Sequence, residues 1–204
     1  MISLILRRAR PAALAVLAAA VPAVPNAADT LAAPASAAPV ASQAPAGAPH
    51  RVPTTCLPSG DGYLRARIAG AIDADIDWPN SGTVCAGEPK REPAGVRMSF
   101  RRTGGDRPHL VFVFGLTGVR EGRSLREGRA NLTVIDESDG RFYGTLGDRR
   151  CTIDSLSQRR LAAAHTYRVE ARGFCTQPAR AVRGAGDVLV SRFDFAGEVN
   201  YGVR

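Results

Sequence analysis

Residues 63–78, Tyr-Leu-Arg-Ala-Arg-Ile-Ala-Gly-Ala-Ile-Asp-Ala-Asp-Ile-Asp-Trp, alternate with period two over their whole length. Leu64, Ala66, Ile68, Ile72, Ala74, Ile76 and Trp78 fall on one side. Tyr63, Arg65, Arg67, Asp73, Asp75 and Asp77 fall on the other. Successive side chains of a strand point to opposite faces, so this pattern predicts a half-buried β-strand and is incompatible with a helical stripe. A strand with one apolar face needs a second layer to cover it, and the remaining chain must supply that layer. The stretch is long for one strand, and Gly70 between Ala69 and Ala71 is the predicted position of a bulge or bend.

The rest of the chain after residue 54 reads the same way. Val96, Met98 and Phe100 alternate with arginines and a serine, and Tyr167, Val169 and Ala171 alternate with Arg168, Glu170 and Arg172. Leu110–Leu116 is apolar on both faces, which predicts a central strand. Asn131–Ile135, Arg141–Leu146 and Val188–Val203 complete the set, with Leu189, Phe193, Phe195, Val199 and Tyr201 assigned to one face and Gly197 to a bulge. Only Leu156–Ala164 suggests a turn or two of helix. Eight or nine strands separated by turn clusters predict an all-β, antiparallel β-sandwich, with a closed β-barrel as second choice.

The first quarter of the chain has a different composition. Arg7, Arg8 and Arg10 precede an Ala/Leu/Val-rich run, followed by cleavage options after Ala23 and Ala27, the layout of a secretory signal peptide over residues 1–27. Pro11 and Pro22 confine the apolar run to roughly ten residues, half of what spans a bilayer. Residues 28–53 are almost wholly Ala, Pro and Ser, the composition of a disordered spacer. One β-sandwich domain is therefore expected over 54–204, in the periplasm or outside the cell.

Cysteine usage points the same way. Cys56, Cys85, Cys151 and Cys175 are an even set behind an export signal, which favours disulfides. Pairing Cys56 with Cys85 and Cys151 with Cys175 closes two local loops, each worth about 3 kcal/mol in the loop-entropy picture. No CxxC or CxxH spacing favours zinc. The formal charge of +8 falls to +5 once Arg7, Arg8 and Arg10 are removed. The arginines alternate with acids instead of forming a cluster, which argues against a nucleic-acid partner.

Asp73, Asp75 and Asp77 form the most pointed cluster. They sit about 7 Å apart along one strand face, and their oxygens suit a hard cation such as Ca²⁺. Yet Trp78 stands where a calcium loop needs glycine, and Val84 where it needs its bidentate glutamate, so no cofactor is expected. In a strand these acids face neighbouring arginines, and Arg65 and Arg67 are the nearest. Asp73, Asp75, Asp77, Arg65 and Arg67 are the candidate binding residues. Nucleophile motifs such as G-x-S-x-G are absent, and His109 and His165 are the histidines available to a base. The sequence thus suggests an exported, non-catalytic binding protein for an envelope or extracellular ligand or partner. A small envelope hydrolase built on the strand carboxylates, or a structural assembly component, are the alternatives.

Overall fold

The computed structural model describes residues 55–104, 109–147 and 149–202; the expected signal peptide and spacer lie outside the described residues. The alternating stretch forms two strands, not one bent strand. β1 (Tyr63–Gly70) and β2 (Ala74–Pro79) pair as a hairpin with Leu64 opposite Trp78 and Ala66 opposite Ile76. Gly70 ends β1 with φ 119°, and a Cβ there would lie 2.5 Å from the Asp187 carbonyl oxygen, so the bulge assigned to it is a reversal of the chain. Partners across this hairpin sum to an even number, so parity survives the turn. Leu64, Ala66, Ile68, Ile76 and Trp78 are all buried on one face, as the alternation predicts.

The chain continues through β3 (Thr83–Lys90), β4 (Gly95–Arg102), β5 (Leu110–Thr117) and β6 (Gly128–Asp136), each antiparallel to the last. β7 (Arg141–Gly144) pairs with the second half of β6, and β8 (Cys151–Arg160) with its first half. β9 (Thr166–Cys175), β10 (Ala179–Ala181) and β11 (Asp187–Asn200) follow, and β11 is flanked by β1 on one side and by β9 and β10 on the other. All eleven strands among the described residues belong to one hydrogen-bonded network. It folds into two facing layers, β3–β4–β5–β6–β7 and β2–β1–β11–β9–β8, with β10 joining β7 to β11. The strand path ends at β2 and β3 without a ladder between them, and the two layers are joined by the β6–β8 ladder and through β10; the architecture is the expected antiparallel sandwich. The count exceeds eight or nine because residues 63–79 are two strands and Ala179–Ala181, too short to show alternation, form β10.

Aromatic side chains hold the layers together. Trp78 meets Phe112 edge-on at 5.4 Å between centroids, Phe100 meets Phe195 at 5.0 Å, and Phe114 meets Phe193 and Phe195 at 5.0 and 4.7 Å. Such tilted and edge-to-face pairs add to the burial of about 150–250 Å² per ring.

Two bulges explain where the sequence pattern misleads. In β8 the register shifts between Ile153 and Ser155, so Ile153 and Leu156 both turn inward. Residues 156–164, read as a turn or two of helix, are the end of this strand followed by a turn. The described residues contain no helix. In β11 the register against β1 shifts at Ser191, so the inward set is Val188 and Val190, then Phe193, Phe195 and Val199. Leu189 therefore leaves the face expected for it. Gly197 marks no bulge; a Cβ there would lie 2.9 Å from Met98 Cε, so glycine lets β4 side chains approach the β11 backbone.

The cysteines pair as Cys56–Cys85 and Cys151–Cys175. Cys151 and Cys175 are register partners on β8 and β9, whereas Cys56 ties the segment before β1 to β3. Asn80 supports that segment from within, its Oδ1 accepting from the Leu57 and Gly62 amides at 2.8 and 3.0 Å and its Nδ2 donating to the Leu57 carbonyl.

Candidate functional site

Arg65 and Arg67 project outward from β1 because their neighbours Leu64, Ala66 and Ile68 take the inner face. Register then sets their company. Arg65 stands between Asp77 on β2 and Asp194 on β11, and Arg67 between Asp75 and Arg192. Arg65 Nε lies 3.2 Å from Asp77, and Arg67 lies 2.7 Å from Asp73 and 3.8 Å from Asp75. The structure therefore brings all five sequence-assigned residues together on one hairpin. It also divides the acids among arginines, and Asp73 sits in the turn before β2 instead of on the strand face. Among the described residues no group of three or more His, Cys, Asp and Glu side chains is arranged to hold a metal ion.

The ladder continues across the layer. The Tyr63 hydroxyl donates to Asp194 at 2.7 Å, and Arg172 Nε lies 3.5 Å from the other Asp194 oxygen. Arg168 donates to Glu170 at 2.8 Å, while its Nε lies 2.8 Å from Asp61 without the alignment of a hydrogen bond, so that contact is ionic. Burial, and then the hydrogen bond to Asp194, hold the Tyr63 hydroxyl above the ordinary tyrosine range. The Ser59 hydroxyl, followed by the charges of Arg168 and Arg159, holds Asp61 below the usual carboxylate range. Exposed pairs of this kind are worth little singly, about 0–1 kcal/mol. Their effect is to leave this face nearly neutralised by its own groups.

A groove of about 380 Å³ opens in the ladder, lined by Arg65, Asp75, Asp77, Arg192 and Asp194 with Ala66, Ile76 and Phe193 at its floor. Arg192 differs from the other arginines of this face: among the described residues no carboxylate lies within ion-pair distance of it. Its register partner is Arg67, a like charge. Arg192 and Asp194 were not read from the sequence as site residues. The signal was the Arg-Phe-Asp-Phe alternation, and it acquires meaning only when β11 is laid beside β1.

No histidine lines the groove. His109 is exposed before β5 in the opposite layer. His165 is exposed in the turn between β8 and β9, with Nδ1 3.0 Å from Glu121. The hydrolase alternative needs a histidine beside Asp73, Asp75 or Asp77, and the groove does not provide one.

Fold and site together define a disulfide-braced antiparallel β-sandwich with a charged, grooved outer face. No protein-family model matches the chain, and no curated protein or solved structure is similar enough to match it. The two disulfides suit an oxidising compartment, and no helix among the described residues is long and apolar enough to cross a membrane.

Proposed function

We propose that the chain is an exported, non-catalytic binding domain of the periplasm or the extracellular space, and that its ligand occupies the groove between β2, β1 and β11. The observation that carries this reading is Arg192. A guanidinium without an acid partner, beside arginines that all have one, is the place where a ligand anion replaces what the protein does not supply. Asp75, Asp77 and Asp194 around it accept hydrogen bonds from hydroxyl groups. An acidic glycan of the envelope or its surroundings presents both kinds of group. Arg65 lines the groove with these acids, and Arg67 and Asp73 stand beside it on the same hairpin.

The test is a thermal-shift screen of the oxidised protein against acidic and neutral glycans. A ligand at 100 times its dissociation constant adds about 2.7 kcal/mol of stability, which raises Tm by roughly 5–10 °C for a domain of this size. Arg192→Ala should abolish the shift while leaving the unliganded Tm within about 1 °C, because it removes an exposed side chain with no ion pair. A shift that survives Arg192→Ala, or turnover of an envelope glycan, would overturn the reading.

A further inference from the structure

The outer face of the other layer is built differently, and register shows how. Val84 on β3, Val111 on β5, Ile135 on β6 and Phe142 on β7 lie in one row across the strands, interrupted only by Arg101 on β4. Val182 extends the row beyond β7, its amide donating to the Phe142 carbonyl at 2.8 Å. At a spacing of about 4.8 Å per strand the row is roughly 24 Å wide. Phe142 is 48% exposed and Val182 69%, and Leu146, two residues past the end of β7, is 72% exposed. Val84, Val111 and Ile135 are half-buried, so the apolar surface open to a partner lies at the β7 end, at Phe142, Val182 and Leu146; exposed apolar surface of this kind marks an interaction site.

Basic side chains stand in the three outward rows that follow it, Arg180 in the first, Arg97 in the second, and Lys90 and Arg129 in the third. Arg97, Arg129 and Arg180 are exposed on β4, β6 and β10, on the same side of the layer. Lys90 joins Arg97, Asn131 and Thr133 around a hollow of about 210 Å³ over Gly115. None of these four cations has a carboxylate within ion-pair distance among the described residues. Among the described strand residues with outward register on this surface, Glu88 is an acid, and at one end Glu137 is already bound to Arg101 at 3.0 Å. The opposite layer, Arg192 apart, pairs the arginines of its outer face with its own acids. This layer leaves Lys90, Arg97, Arg129 and Arg180 without an acid, beside the exposed Phe142, Leu146 and Val182.

We infer that this face docks on a bilayer carrying anionic phospholipid. A second copy of the chain would set unpaired cations against unpaired cations, which disfavours self-association through this face. A soluble polyanion would satisfy Lys90, Arg97, Arg129 and Arg180 but leave Phe142, Leu146 and Val182 in water. Only an anionic lipid surface matches both, with phosphates in the hollow and along the arginines and the three exposed apolar side chains among the acyl-chain ends. Docking in this way turns the β2–β1–β11 groove away from the membrane, though the inference does not depend on that groove.

The experiment is cosedimentation of the oxidised protein with vesicles of phosphatidylcholine alone and of phosphatidylcholine mixed with phosphatidylglycerol. Binding is expected only to the mixed vesicles, weakening as salt rises. Each of Arg97→Gln, Arg129→Gln and Arg180→Gln should lower the affinity about fivefold, and the triple variant about 100-fold. Phe142→Ser with Val182→Ser should weaken binding without changing its salt dependence. Arg159→Gln, on the opposite layer, should leave it unchanged. In Val182→Trp, fluorescence should shift to the blue on mixed vesicles only; Trp78, the native tryptophan, is buried and contributes a constant background. Circular dichroism of each variant establishes that it is folded. Equal binding to both vesicle types, no binding to either, binding to heparin but not to vesicles, or a dimer in solution that Phe142→Ser dissolves would each overturn the proposal.

Discussion

Phe114 and Val113 are neighbours on β5 whose side chains point to opposite faces, and they separate the inner and outer surfaces of the same strand. Phe114 is fully buried, and its ring lies 4.7 and 5.0 Å from those of Phe195 and Phe193 in the facing layer and 6.1 Å from that of Phe100 on the adjacent strand. Phe→Ala in a core costs about 3–5 kcal/mol. The upper part of that range applies here, because Phe114 touches both layers and β5 is held in register by β4 and β6, so the space cannot collapse. For a domain of about 150 residues, a loss of about 4–5 kcal/mol lowers Tm by roughly 10–20 °C. Val113 is half-buried beside the hollow over Gly115. Val113→Ala removes two partly solvated methyl groups and some strand propensity, about 1 kcal/mol together. Urea denaturation of the two oxidised variants, fitted with a common m-value, measures the difference. Equal costs would refute the reasoning, since they would mean that a further layer covers the outer face of β5.

Three other outcomes follow from packing and ionisation. Gly87→Ala places a Cβ 2.5 Å from the Glu198 carbonyl oxygen and from Val199 Cγ2, so β3 must move off β11; a loss of about 1–3 kcal/mol is expected in the same urea assay. Replacing Cys151 and Cys175 together by serine opens a loop with a sequence separation of 24 residues and should cost about 3.5 kcal/mol, read as a lower urea midpoint without reductant. Burial, opposed by the hydrogen bond to Gln158, pushes the Tyr201 hydroxyl up to about 12 from an ordinary value of 10.0, so the fold favours its neutral form. Its contribution is complete below pH 10 and is lost as pH rises from 10 to 12; Tyr201→Phe should flatten the fall in Tm across that interval, and an unchanged slope would rule out Tyr201 as a cause.

Much of the architecture was readable locally. Residues Leu64 to Trp78 declared their buried side by alternation alone, and the hairpin that replaced the expected bend preserved it, because hairpin partners share a face. The cysteine pairs were readable because each closes a short loop. Where the reading failed, a bulge had reset the parity. Ser191 moved Leu189 out of the inward set, and the shift in β8 turned both Ile153 and Leu156 inward. Leu110–Leu116 was read as central from its two apolar faces; it is interior to its layer, yet only the face bearing Phe112 and Phe114 is buried.

The sequence by itself determined that this chain is a β protein with one-sided strands, two disulfides and an arginine-rich surface, since alternation, loop length and charge are properties of neighbouring residues. It did not determine which charges would be cancelled. Tyr63 and Asp194 are separated by 131 positions and meet only because β11 lies against β1. The same long-range register gave Arg65 two acids, gave Arg192 none, and aligned the half-buried Val111 and Ile135 with the exposed Phe142 and Val182 in one row. Local pattern sets the side of the strand to which a residue points. The residues beside it are set by ladders between distant segments, whose register is fixed by the packing of the whole core.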